Sequence, residues 1–191
     1  MLRPSIRGFT IVELLVVVAI IGVLATVILA NLNQGRERAA AANELRQLQE
    51  IEKALRVYLI DNGYAQWWEQ GDSSGVHMST INEIRNDSDA PGFDQYISEL
   101  PKSYLNSDFD YQYRNSGDPL QTPCGDRRRG VSIRIDQAHS ANPEAVLMLD
   151  EAVDGDQGLP ENERMRCGRF RWSDDASQSI YYIIANDSDD L

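Results

Sequence analysis

A chain of 191 residues has room for one folded domain and one anchor. Its net charge of −12 argues against general binding to nucleic-acid phosphate, and no G-x-S-x-G, Walker loop or H-E-x-x-H is present to mark an enzyme. The charge is unevenly placed: residues 9–60 hold five acids and five bases, whereas residues 61–191 hold 25 acids and 11 bases, so the C-terminal part reads as an acidic, soluble domain.

The chain opens with Arg3 and Arg7 and then turns almost wholly apolar from Phe9 to Leu32, with Glu13 as the one charge. A run of this length can cross the ~30 Å hydrocarbon core of a bilayer as a helix. A carboxylate at mid-span costs about 2.5–3.5 kcal/mol on insertion scales. Glu13 sits near one end, which lowers that cost, but it still calls for a partner. By itself the stretch fits a single-span anchor, or a long signal peptide cut near Ala30. Its details point elsewhere. Gly8-Phe9-Thr10-Ile11-Val12-Glu13 is a short basic leader ending in Gly, then Phe, then Glu as the fifth residue after the Gly, then an apolar helix. This pattern resembles the type IV prepilins. The resemblance implies cleavage between Gly8 and Phe9 by a prepilin peptidase and N-methylation of Phe9. It also implies pairing of Glu13 with the Phe9 amine of a neighbouring subunit, so that two buried charges answer each other. The implied partners are other copies or homologous pilin subunits, an inner-membrane assembly platform, and membrane lipid before assembly. The positive-inside rule applied to Arg3 and Arg7 predicts a single pass of the cytoplasmic membrane, with the N-terminus inside and the residues after about 33 outside.

Asn31-Leu32-Asn33-Gln34-Gly35 weakens a helix and predicts loosening there, and Ala30 stands where many pilins carry a helix-bending proline. From Arg36 to Ile60 the pattern is helical again. Ala39 to Ala42 favour helix, and Leu45, Leu48, Ile51, Leu55, Tyr58 and Leu59 form a stripe suited to packing on a sheet. Glu44, Gln47, Glu50 and Lys53 read as its solvated face. Residues 9–60 as one helix would span about 78 Å at 1.5 Å per residue. Asp61-Asn62-Gly63 ends the helix. The run Leu55 to Tyr64 also resembles type II secretion pseudopilins and some pilins, with Ala65 in place of their Pro.

Residues 64–107 read as loop-rich, with Trp67 and Trp68 as core lids and two short helices around Ile81–Ile84 and Phe93–Leu100. Five strands are predicted: Phe109 to Arg114, Val131 to Asp136, Ala145 to Leu149, Phe170 to Trp172 and Ile180 to Ala185. The expected fold is α+β and pilin-like: a long N-terminal helix, transmembrane in its first half and amphipathic in its second, packed on a C-terminal antiparallel sheet. The expected divisions are a leader 1–8, a filament-core helix 9–32, an amphipathic half-helix 33–61 and an acidic extracytoplasmic domain 62–191.

Cys124 and Cys167 are the only cysteines, and in an exported domain an even pair reads as a disulfide, the alternative being two separate thiols. The acidic turn Asp150 to Gly158 offers Asp150, Asp154 and Asp156 as calcium ligands, or it is a solvated turn. No cofactor is required, and calcium is a possible one. Arg127-Arg128-Arg129 with Arg134 is the one basic cluster, and it lacks neighbouring aromatics for single-strand stacking, so nucleic acid is not an expected partner. His77 and His139 read as ordinary, and Asn186 to Leu191 as a solvated tail. Together these features predict a structural subunit of a type IV pilus-like filament. The alternatives are a pseudopilin of a type II secretion system or, from another class, a membrane-anchored binding ectodomain that forms no filament.

Overall fold

A computed structural model describes residues 9–65, 67–68, 80–87, 90–120, 128–155, 158–160, 163, 167–172 and 178–185. The chain divides into two compact units, Met1–Glu37 and Arg38–Leu191. Helix α1 covers Ile11–Asp61. In the first unit the described large apolar side chains from Phe9 to Leu32 are 46–83% exposed. This segment is long and apolar enough to cross a membrane. The loosening expected at Asn31–Gly35 is absent, and the backbone stays helical throughout. A single Gly costs a helix only about 1 kcal/mol. The four alanines that follow favour continuation.

In the second unit the α1 stripe is buried as its spacing predicts, with Leu48, Ile51, Leu55, Tyr58 and Leu59 all at 0% exposure. Glu44, expected on the wet face, is a correction: it is buried among the same residues. Helix α1 stops in a Schellman turn, in which Tyr64 N–H donates to Leu59 O at 2.9 Å and Gly63 N–H to Ile60 O at 3.1 Å. Gly63 takes φ 73°, which an L side chain rarely adopts.

After α1 come a short helix α2 (Ile81–Arg85) and a single 3-10 turn at Phe93–Gln95. Among the described residues four strands follow, β1 (Gln112–Leu120), β2 (Arg128–Ile135), β3 (Phe170–Trp172) and β4 (Ile180–Ala185), with helices α3 (Ala138–Ala141) and α4 (Pro143–Asp154) between β2 and β3. The sheet is antiparallel in the order β1-β2-β4-β3. The expected strand at Ala145–Leu149 is thus a second correction, since this run lies inside α4. Asn142 caps that helix by accepting from Ala145 N–H at 3.2 Å, and Pro143 sits in its first turn. On β2, Val131, Ile133 and Ile135 enter the core while Arg134 lies half-exposed on the other face. Trp67 and Trp68 are core residues. The Trp68 ring meets Tyr58, Phe93 and Tyr113 at centroid distances of 5.6–6.2 Å, and its carbonyl accepts from Tyr113 Oη at 2.9 Å and Asn115 Nδ2 at 3.0 Å.

Candidate functional site

The N-terminal end of α1 is built by two side chains. Glu13 Oε2 accepts from Thr10 N–H at 2.9 Å and from Thr10 Oγ1 at 2.8 Å, and Thr10 Oγ1 accepts from Glu13 N–H at 3.2 Å. This is a capping box: each residue satisfies a main-chain donor that the first helical turn leaves open. The carboxylate also sits at the positive end of the helix dipole. Sequence reasoning singled out Glu13 and passed over Thr10, although Thr10-Ile11-Val12-Glu13 carries the T-x-x-E signature. Phe9 precedes the cap and is 79% exposed; Gly8 lies outside the described residues. Further along, Thr26 Oγ1 donates to Gly22 O at 2.8 Å, so the hydroxyl of this apolar stretch is satisfied within its own helix.

Asp150 and Asp154 lie one turn apart on α4, and Asp150 is buried. Asp154 accepts from two main-chain donors, Arg169 N–H and Phe170 N–H, both at 2.8 Å, and so fixes the start of β3. Asp156 lies outside the described residues, and among the described residues no three His, Cys, Asp or Glu side chains form a metal-holding group. Gly168 completes this corner at φ 91°, where an added Cβ would lie 2.3 Å from Asp154 Oδ2. Cys167, its neighbour, is 5% exposed and is not a free thiol; Cys124 lies outside the described residues.

Arg169 joins the corner to α1. Its guanidinium lies 2.9 Å from Glu52 Oε2, 3.2 Å from Tyr182 Oη and over the Tyr182 ring at 5.0 Å. Tyr182 Oη donates to the same carboxylate oxygen at 2.9 Å. Burial, then the charge of Glu52, pushes the Tyr182 phenol up to about 12. Arg56 holds the other Glu52 oxygen at 3.3 Å and donates to Ile184 O. Arg134 is paired with Asp136 at 2.5 Å and with Ser179. The side chains of Arg127, Arg128 and Arg129 lie outside the described residues, as do His77 and the tail. His139 stacks on Trp172 at 5.6 Å.

Residues 3–29 match the family described as the prokaryotic N-terminal methylation motif. The chain is 35% identical over 111 residues to a type II secretion system core protein G of Vibrio cholerae, covering 58% of this chain and 72% of that protein. It is 33% identical over 103 residues to the protein of the same description in Escherichia coli, covering 54% and 69%. A type IV wide pilus major component of Thermus thermophilus is 43% identical over 56 residues, covering 29% and 43%. No solved structure matches.

Proposed function

Because this chain belongs to the pilin and pseudopilin family, whose members are structural subunits and not enzymes, we propose that it is a pseudopilin, a filament subunit of a type II secretion system. The observation that carries this reading is the likeness to core protein G, which extends over 111 residues and so well beyond the methylation motif. The likeness to the type IV wide pilus component, by contrast, covers 56 residues. In the pseudopilin reading, a prepilin peptidase cuts between Gly8 and Phe9 and Phe9 is N-methylated. The apolar half of α1 stores the subunit in the inner membrane with its N-terminus inside. An assembly platform then extracts it into a filament of like subunits.

In the filament the exposed α1 side chains, withdrawn from lipid, pack against those of neighbouring copies, and this packing keeps their apolar area from water. The Phe9 amine of one copy meets Glu13 of another. The capping box supports this, because it orients the Glu13 carboxylate at the helix start through Oε2 alone. Cys124 pairs with Cys167 outside the cytoplasm. Calcium is the candidate cofactor of the Asp150–Asp156 turn.

The test is deletion and complementation in a cell that has both a secretion system and pili. Loss of secreted enzymes with intact pili supports the reading; loss of pili with intact secretion returns the chain to the pilus class. Glu13→Ala separates both from a membrane-anchored ectodomain. A filament subunit is still processed to Phe9 but fails to assemble, whereas an ectodomain without filaments tolerates the change.

A further inference from the structure

Within the second unit, the two ends of α1 carry unlike surfaces. The C-terminal end bears an apolar cluster that the fold leaves open. Ile60 is 61% exposed, and Val57 and Tyr64 are 39% and 37% exposed. Val57, Ile60 and Asp61 share one helix face at i, i+3 and i+4. The Tyr64 ring packs on Tyr58 and Trp68 at centroid distances of 6.3 and 6.0 Å, which holds it in place. Asp61 is the last residue of α1, and the last turn contains no basic residue. An acid at the negative end of a helix dipole is unfavourable and calls for a cation. Its carboxylate accepts from Tyr96 Oη at 3.2 Å, and among the described residues it has no ion pair.

At the other end, α1 and α4 enclose a groove of about 350 Å3, floored by Ala41, Ala42 and Leu45 of α1 and by Met148 and Ala152 of α4. This is room for side chains, since one water occupies only about 30 Å3. Arg38 and Glu151 complete the lining. Both are exposed, and among the described residues neither carries an ion pair. One end of α1 thus offers apolar side chains beside a free acid, and the other an apolar groove beside a free guanidinium.

We propose that residues 60–64 of one copy dock in the Arg38 groove of another, with Asp61 on Arg38 and with Ile60 and Tyr64 against Ala41, Ala42 and Leu45. The inference rests on the filament reading above. The occupant is a second copy because this chain carries the matching surface and cannot supply it to itself. Arg38 and Asp61 stand 23 residues apart on one helix, which is about 34 Å. Copies this acidic repel one another broadly, so a free cation facing a free acid fixes where they meet. Glu151 repels an acid from the α4 side of the groove and leaves Arg38 as its seat. Copies anchored in one membrane by the same end share one orientation. That excludes the antiparallel pair in which two such contacts would close on each other. The contact joins unlike surfaces, so it repeats head to tail without closure, and each copy is displaced by about 34 Å along α1 from the one it docks on.

The experiment uses the full chain, expressed in its own cells in place of the native copy, and measures the yield of filaments. Arg38→Glu and Asp61→Arg should each lower that yield about tenfold or more, and the double variant should return to within about threefold of wild type. All three should still be processed to Phe9 and keep the wild-type Tm, because both side chains are exposed. Single variants that assemble at the wild-type level, or a double variant no better than the singles, overturn the contact and leave the filament reading standing. A processed wild-type chain that forms no filament overturns both. Where a charge variant does not fold, a photoreactive benzoylphenylalanine in place of Ile60 decides. In intact filaments its adducts should map to residues 38–45 or 148–152 of a second copy and form a ladder beyond the dimer. Adducts elsewhere, or a ladder that stops at the dimer, overturn the proposal.

Discussion

Thr10 and Glu13 close the first turn of α1 on each other, so the helix start is written into its own side chains. Thr10→Ala removes the hydroxyl that accepts from Glu13 N–H, and amide exchange over residues 11–13 should rise severalfold in micelles, while Thr10→Ser keeps the wild-type rate. A second single-residue effect belongs to Gly168. Its φ of 91° and the 2.3 Å approach of a Cβ to the Asp154 carboxylate leave no room for a side chain. Gly168→Ala should lower stability by about 2–4 kcal/mol, measured as the shift in denaturant midpoint at constant slope. The acidic run around Asp154 reads from sequence as a calcium loop or as a solvated turn. What composition could not show is that two main-chain N–H groups from residues 15 and 16 positions later would converge on it. Glu44 escaped for the same reason: helical spacing assigns a face, but the segment 103–105 that covers that face arrives from some 60 residues away.

Elements with strong local signals were legible. The α1 stripe repeats every three to four residues, and its terminator is spelled by Asp61-Asn62-Gly63. Strands β3 and β4 fall where β-branched and aromatic residues cluster. The Ala145–Leu149 run was misread because a short apolar stretch is the same signal for a strand and for one buried face of a helix. Asn142-Pro143 was the local clue that decides it, as cap and first-turn residue. The stop of α1 makes its own prediction. Gly63→Ala forces a Cβ into the left-handed region while nothing lies within 4 Å to clash, so the cost is conformational only. It should be about 1 kcal/mol in a thermal melt, distinctly smaller than at Gly168.

For the molecule as a whole, the two units draw on different forces: an unpartnered apolar helix in one, and in the other a packed sheet and helix core bearing most of the acidic charge. Joining Cys124 to Cys167 would close a loop of about 40 residues, worth on the order of 4 kcal/mol in the chain-entropy account. Reductant should therefore lower the Tm of the intact chain by roughly 10 °C. Chelator tests the acidic turn separately. A calcium site predicts a fall in Tm with EDTA that added calcium reverses, and an unchanged melt assigns the turn to main-chain capping alone. The strand order carries a last consequence. In β1-β2-β4-β3 the last strand among the described residues, β4, lies inside the sheet, hydrogen-bonded to β2 on one side and β3 on the other. A chain supplied in sequence order thus cannot close this sheet until residue 185 is available. Closure of the sheet is then set by the delivery of β4, and a chain halted at Ser179 would leave β2 and β3 both lacking their shared neighbour.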